Sequence, residues 1–180
     1  MIMGSLKASL FISLDGVTED PDTWHFPYFD DQMGEIVGRL MGEAEATLIG
    51  RKTYEEFAAY WPDADPDDPI TQQMNGSRKY VVSTTLTEPD WQNTAVINGD
   101  IAAELTSLKA DTNLGTAGSP TLVRWLVEQG LADELHLLLH PVVAGRGQTL
   151  FGDSKSVPLT LLDSTALDSG VVHLVYGRAR

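Results

Sequence analysis

Residues 47–62 read TLIGRKTYEEFAAYWP. An apolar run stops at Gly50, two cations follow at Arg51 and Lys52, and a segment with helical spacing begins. This is a strand, a turn and a helix start. The first turn of a helix carries free N–H groups and a partial positive charge, which suits an anion. The chain has a formal net charge of −14, so two adjacent cations at that place stand out. Gly50 permits a tight turn or a close backbone approach. The planar fork of Arg51 suits a phosphate. Thr53 and Glu56 have the T-x-x-E spacing of a capping box, which places the helix start at Thr53. The plain alternative is a strand-to-helix turn with solvated cations.

Two further junctions share this character. Gly118-Ser119-Pro120-Thr121 follows a short apolar run, with Ser119 at the cap and Pro120 in the first turn. Small residues from Gly115 through Ala117 to Ser119 let a ligand come close to the backbone there. Val82-Ser83-Thr84-Thr85 is a strand running into hydroxyls, a common strand ending. By contrast, Gly145-Arg146-Gly147 gives only G-x-G with no helix pattern after it, and reads as a tight turn.

The rest of the chain alternates strands and helices. Residues 6–14 read as a buried strand ending in the Asp15-Gly16 turn. Met33, Ile36, Val37, Leu40 and Met41 recur at helical spacing, and Gly42 is expected to end that helix. Residues 17–27 and 62–69 read as loops. Strands are expected at 79–83, 94–97, 112–116 and 134–143. Asp100 is expected to cap a helix reaching about Lys109, and a helix from Pro120 stops at Gly130. Runs near 158–163 and 171–177 flank the Asp168-Ser169-Gly170 turn as a hairpin. This order predicts one α/β domain over residues 1–180, with a mixed, mostly parallel central sheet flanked by helices and a C-terminal antiparallel hairpin.

Composition narrows the function. The 180 residues are 42% apolar and 21% charged, ordinary for a globular domain. There are no cysteines, so thiol catalysis and thiolate metal sites are excluded, and no metal site is expected. The acidity argues against a nucleic-acid partner. No apolar run is long enough for a membrane span. Lys7 and Asp15 interrupt the N-terminal apolar stretch, which leaves no signal-peptide pattern, so a cytoplasmic location is expected.

Several blocks together resemble one family. They are Ser13-Leu14-Asp15-Gly16, Leu48-Ile49-Gly50-Arg51-Lys52-Thr53-Tyr54, Lys79-Tyr80-Val81-Val82-Ser83 and Gly118-Ser119-Pro120-Thr121-Leu122-Val123. Gly130-Leu131-Ala132-Asp133-Glu134-Leu135 and His140-Pro141-Val142-Val143-Ala144-Gly145-Arg146-Gly147, then Leu150-Phe151, complete the set. Their order and spacing resemble the dihydrofolate reductase-like superfamily. They are most similar to the reductase domain of the bifunctional riboflavin-biosynthesis deaminase-reductase and its stand-alone relatives. The resemblance implies that fold, NADPH as cofactor, a small-molecule substrate and a homodimer. It implies that Gly50, Arg51 and Thr53 meet cofactor phosphates, with Ser83 and Thr84 near the adenosine 2′-phosphate. Ala117, Gly118, Ser119, Thr121 and Leu122 would approach the pyrophosphate, and Ile12 and Ser13 would line the nicotinamide. The nearest named activity is reduction of 5-amino-6-(5-phosphoribosylamino)uracil. With no cysteine among the 180 residues, a deaminase domain with zinc-ligand cysteines is not expected here. Dihydrofolate reduction and nucleotide binding without catalysis stay as alternatives.

The catalytic side is less defined. The resemblance to dihydrofolate reductases implies a carboxylate on the first helix that holds the substrate, and that region offers Asp30, Asp31 and Glu35, either for that task or as complement to the helix N-terminus. Asp15 serves either the chemistry or its turn. Trp24, His25, Phe26 and Tyr28 either stack on a flat heterocycle or plug the core. His140 reads as structural, since no partner at zinc spacing accompanies it.

Overall fold

The computed structural model describes residues 3–180. Its eight strands are β1 (Leu6–Ser13), β2 (Ala46–Gly50), β3 (Arg78–Val82), β4 (Thr94–Ile97), β5 (Leu114–Thr116), β6 (Glu134–His140), β7 (Leu159–Ala166) and β8 (Val172–Arg178). Five α-helices connect them: α1 (Asp31–Glu43), α2 (Arg51–Ala58), α3 (Pro69–Gly76), α4 (Ile101–Leu108) and α5 (Pro120–Glu128). The strands form one sheet in the order β4-β3-β2-β5-β1-β6-β8-β7. All neighbours from β4 to β6 are parallel, and β8 and β7 add the antiparallel hairpin.

The chain moves outward from β1 to β2, β3 and β4, then returns and inserts β5 between β2 and β1. Because parallel crossovers keep one hand, reversing direction switches the face that the connecting helix covers. Side-chain packing follows this rule. Leu6, Ala8, Leu10 and Ile12 of β1 pack with Leu105 of α4 and Leu122, Val123 and Leu126 of α5. On the other face, Met33 of α1 packs with Phe11 and Leu138, and Tyr54 of α2 and Met74 of α3 pack with Ile49 and Val81. β1 shows the period-2 alternation: Leu6, Ala8, Leu10 and Ile12 enter the first core, and of Lys7, Ser9, Phe11 and Ser13 on the other face only Phe11 is apolar.

Local chemistry explains most element boundaries. Asp30, Asp68 and Asp100 cap α1, α3 and α4, accepting from Met33 N, Thr71 N and Ala103 N at 2.9, 2.8 and 3.1 Å. Gly130, at φ +65°, follows the end of α5. Several expectations are corrected. α1 runs past Gly42 to Glu43, β6 ends at His140, and 61–63 forms a 3₁₀ turn. α3 was not anticipated: Asp68-Pro69 is a capping residue followed by proline at the first helical position, hidden in a stretch read as loop.

Candidate functional site

β2 and β5 are neighbours, yet α2 and α5 leave them on opposite faces. Such a reversal opens a crevice beyond the carboxyl ends of the strands, where ligands of α/β sheets bind. Gly50-Arg51 stands on one side of the crevice and Gly118-Ser119 on the other. Val82 is in register with Gly50, so Ser83 continues the same rim.

The two sides are tied together. Ser119 Oγ accepts from the Gly50 amide at 2.9 Å and donates to Thr53 Oγ1 at 2.8 Å. Thr53 Cγ2 also lies 3.8 Å from where a side chain on Gly118 would begin. Gly118 and Ser119 both adopt left-handed backbone angles, φ +61° and +60°, so the chain turns sharply before α5. This overturns two expectations. Ser119 does not cap α5 with its side chain, because that conformation directs the hydroxyl across to β2. Thr53 does not cap α2 either; the helix begins two residues earlier, at Arg51, with Gly50 at the cap position. The N-termini of α2 and α5 therefore have no side-chain cap, whereas α1, α3 and α4 each have an aspartate there. Free N–H groups of two helices meet at one crevice, and a helix start without a cap is a place for an anion.

Arg51 and Lys52 are exposed beside it, and Arg51 Nη1 pairs with Glu55 at 2.6 Å. Thr121 and Gly118 are exposed, Ala117 half-buried, and Leu122 buried in the core. The Ser83 hydroxyl accepts from Thr85 N and Leu86 N at 3.2 and 3.0 Å and so shapes its own turn, while Thr84 is exposed.

β5 is short. Its last residue, Thr116, uses its hydroxyl to accept from Ser9 N at 3.0 Å. Beyond Ser9, β1 continues to Ser13 with β6 as its only strand neighbour. By alternation, Phe11 turns its N–H and C=O toward this open edge. Ile12 points its side chain into the α5-side core, and Ser13 faces the α1 side in register with His140.

On the α1 side lies a cluster of rings. His25 stacks on Phe11 at 4.6 Å and packs against Phe26 at 4.2 Å. His140 meets Phe11, Trp24 and Tyr28 edge-on at 5.5, 5.1 and 5.8 Å. His140 Nδ1 donates to Leu138 O at 2.8 Å. Its Nε2, like His25 Nδ1, is buried without a hydrogen-bond partner. Burial lowers the pKa of both imidazoles, so both are neutral at pH 7.

The carboxylates are placed differently. Asp31 and Glu35 are exposed, because Met33 takes the inward phase of α1, and Asp30 is occupied as its cap. The Asp15 carboxylate accepts from Ser13 Oγ at 2.6 Å, from Ala144 N at 2.9 Å and from Gly145 N at 2.8 Å. These bonds hold its pKa down to about 2 and fasten the turn after β1 to the loop after β6. His25 and His140 are the buried titratable groups at this end. Sequence spacing offered no partner for either, because strand pairing places His140 and two 3₁₀ turns, Pro21–Thr23 and Phe26–Tyr28, place His25.

The fold, with its crevice between β2 and β5 and its antiparallel hairpin, is that of the dihydrofolate reductase-like superfamily. Residues 5–173 match the model of the RibD C-terminal domain, and the chain belongs to that family. It is 32% identical over 177 residues to the uncharacterized Bacillus subtilis protein YyaP, covering 93% of this chain and 91% of the relative. A Shewanella protein provisionally assigned to riboflavin biosynthesis superimposes with a TM-score of 0.77 at 20% identity, over 98% of this chain and 99% of that one. Enterococcus faecalis dihydrofolate reductase complexed with NADP(H) superimposes with a TM-score of 0.62 at 18% identity, over 99% and 98%. Among the described residues no helix is long and apolar enough to cross a membrane.

Proposed function

We propose that this protein is an NADPH-dependent reductase of a pyrimidine- or pteridine-like small molecule. The nearest named activity is reduction of 5-amino-6-(5-phosphoribosylamino)uracil. One observation carries the reading: the two helices that start at the β2–β5 crevice lack side-chain caps and are joined through Ser119, with Arg51 beside them. Arg51, Thr53, Ser83 and Thr84 would hold the phosphates on the α2 side, and Ala117, Gly118, Ser119, Thr121 and Leu122 those on the α5 side. Ile12, Ser13 and the open edge of β1 would receive the nicotinamide. When bound, NADPH supplies a hydride. The chain's own task is to position the ring and exclude water, with Trp24, Phe26 and Tyr28 on the acceptor side.

The test is NADPH oxidation with the uracil compound and with dihydrofolate. Turnover of one supports the reading, whereas no oxidation with any flat heterocyclic acceptor sinks it. A second reading, a nucleotide-binding protein without catalysis, is favoured by the exposure of Asp31 and Glu35. Tight NADPH binding with no hydride transfer would decide for it. A single domain over residues 1–180, a cytoplasmic location and a homodimer belong to the same proposal. The dimer finds support in β7, an edge strand with Leu161 and Leu162 both exposed. Light scattering of the wild type and of Leu162→Lys checks it: a wild-type monomer would refute it.

A further inference from the structure

The acceptor side of the sheet end differs from the cofactor side in how it treats charge. On the cofactor side, two helix starts are free and Arg51 and Lys52 are at hand. On the acceptor side, the one helix that begins there is α1, whose N-terminus is already occupied by the Asp30 carboxylate and followed by Asp31. The segments that enclose the ring cluster are 13–29 and 140–149. They contain four carboxylates, Asp15, Glu19, Asp20 and Asp22, against one cation, Arg146. Arg146 is exposed on the loop whose Ala144 and Gly145 amides are already taken by Asp15. Asp22 is close enough to act on His25 through its charge. The exposed side chains near the cluster include the apolar Leu14, Phe26, Phe29 and Val143.

A phosphate in a protein site takes arginine forks or free helix amides. No free helix amide is offered here, and the one arginine, Arg146, stands among four carboxylates, whose surplus repels a dianion. The rings offer stacking faces, and two buried imidazole nitrogens, His25 Nδ1 and His140 Nε2, lack partners. His25 is 8% exposed and His140 fully buried. A ligand with a polar edge atom would satisfy His25, the less enclosed of the two, because a buried polar atom without a partner is costly.

We infer that the acceptor is a flat, uncharged heterocycle that carries no phosphate, recognised by ring stacking and by the free nitrogen of His25. This rests on the reductase reading and sets the substrate class apart from the phosphoribosyl compound.

The experiment uses the full chain with NADPH or NADP⁺ bound. Affinity by calorimetry and initial rates of NADPH oxidation are measured for 5-amino-6-(5-phosphoribosylamino)uracil and for its dephosphorylated form, at equal ionic strength. The dephosphorylated compound is expected to be favoured at least tenfold in kcat/KM, and in Kd where turnover is too slow to read. Raising the salt concentration should narrow the ratio, since screening weakens the repulsion. Phe26→Arg should shift the ratio toward the phosphorylated compound, and Arg146→Ala should leave it unchanged. Equal or better use of the phosphorylated compound overturns the inference and leaves the reductase reading standing. Binding of neither compound to a protein that holds NADPH also overturns it. Failure to bind NADPH at all sinks the reductase reading itself.

Discussion

Ser119 Oγ accepts a 2.9 Å hydrogen bond from the amide of Gly50, a residue 69 positions away in sequence. That bond joins the starts of α2 and α5 and fixes the width of the crevice between them. Ser119→Ala removes the acceptor and leaves the Gly50 N–H unpaired, a cost of about 1–3 kcal/mol for a buried donor. Ser119→Gly also loses the hydroxyl but relieves the left-handed backbone, which costs a non-glycine residue about 1–2 kcal/mol. Urea unfolding should therefore place Ser119→Ala below both wild type and Ser119→Gly, with Ser119→Gly above it by about 1–2 kcal/mol. Both variants should bind NADPH more weakly than wild type. Unchanged affinity in both would show that the bridge does not organise the cofactor site.

Arg51 pairs with Glu55 on an exposed helix face, a contact worth only about 0.3–0.5 kcal/mol. Arg51→Ala should leave the unfolding midpoint nearly unchanged. It should weaken NADPH by about tenfold or more, as a hydrogen bond to a charged group is worth about 1.5–3 kcal/mol. NADH should lose much less, because only NADPH carries the extra phosphate. Equal losses for both cofactors would remove Arg51 from the 2′-phosphate.

Much of this arrangement was legible before the structure, and what was hidden has physical causes. The three junctions, the Asp100 cap and the C-terminal hairpin follow from local rules. Ser119 followed the local rule for a helix cap as well, and the rule failed there. Its φ of +60° turns the hydroxyl toward β2, and the partner is set by strand order, which no local pattern encodes. α3 was masked because Asp68-Pro69 sits among other prolines and aspartates, although that pair is a helix start. The inward phase of α1 falls on Met33, so Asp31 and Glu35, each two residues and roughly half a helical turn away, face water.

Asp15 is charged throughout the physiological range, since its pKa is held near 2 by the Ser13 hydroxyl and the Gly145 and Ala144 amides. Its folded pKa lies below the unfolded value of 3.8, so its stabilising contribution is present above about pH 4 and is lost as pH falls toward 2. Asp15→Asn should flatten the acid limb of the stability curve in that window. It should not remove a limb near neutrality from the pH dependence of any turnover. Loss of a neutral-pH limb in this variant would instead make Asp15 a proton carrier.

Lys79 is 1% exposed, and its ammonium donates to Met74 O and Ser77 O at 2.9 Å each, closing the end of α3. It also lies 4.1 Å from the centre of the Trp91 ring. Burial pulls its pKa down from 10.5 to about 8. The folded protein therefore releases this proton near pH 8, whereas the unfolded chain holds it to about 10.5. Between those values the unfolded state binds more protons, so the contribution of Lys79 to stability rises with pH, by at most about 1.4 kcal/mol per unit. Lys79→Met keeps most of the side-chain volume and has no such titration. It leaves two helix-end carbonyls without their donor, so it should be less stable than wild type at pH 7. The gap between wild type and Lys79→Met, measured by urea unfolding, should widen from pH 8 to 10. A gap that narrows over that range would mean that the two carbonyls around the ammonium outweigh its burial and hold its pKa above the unfolded value.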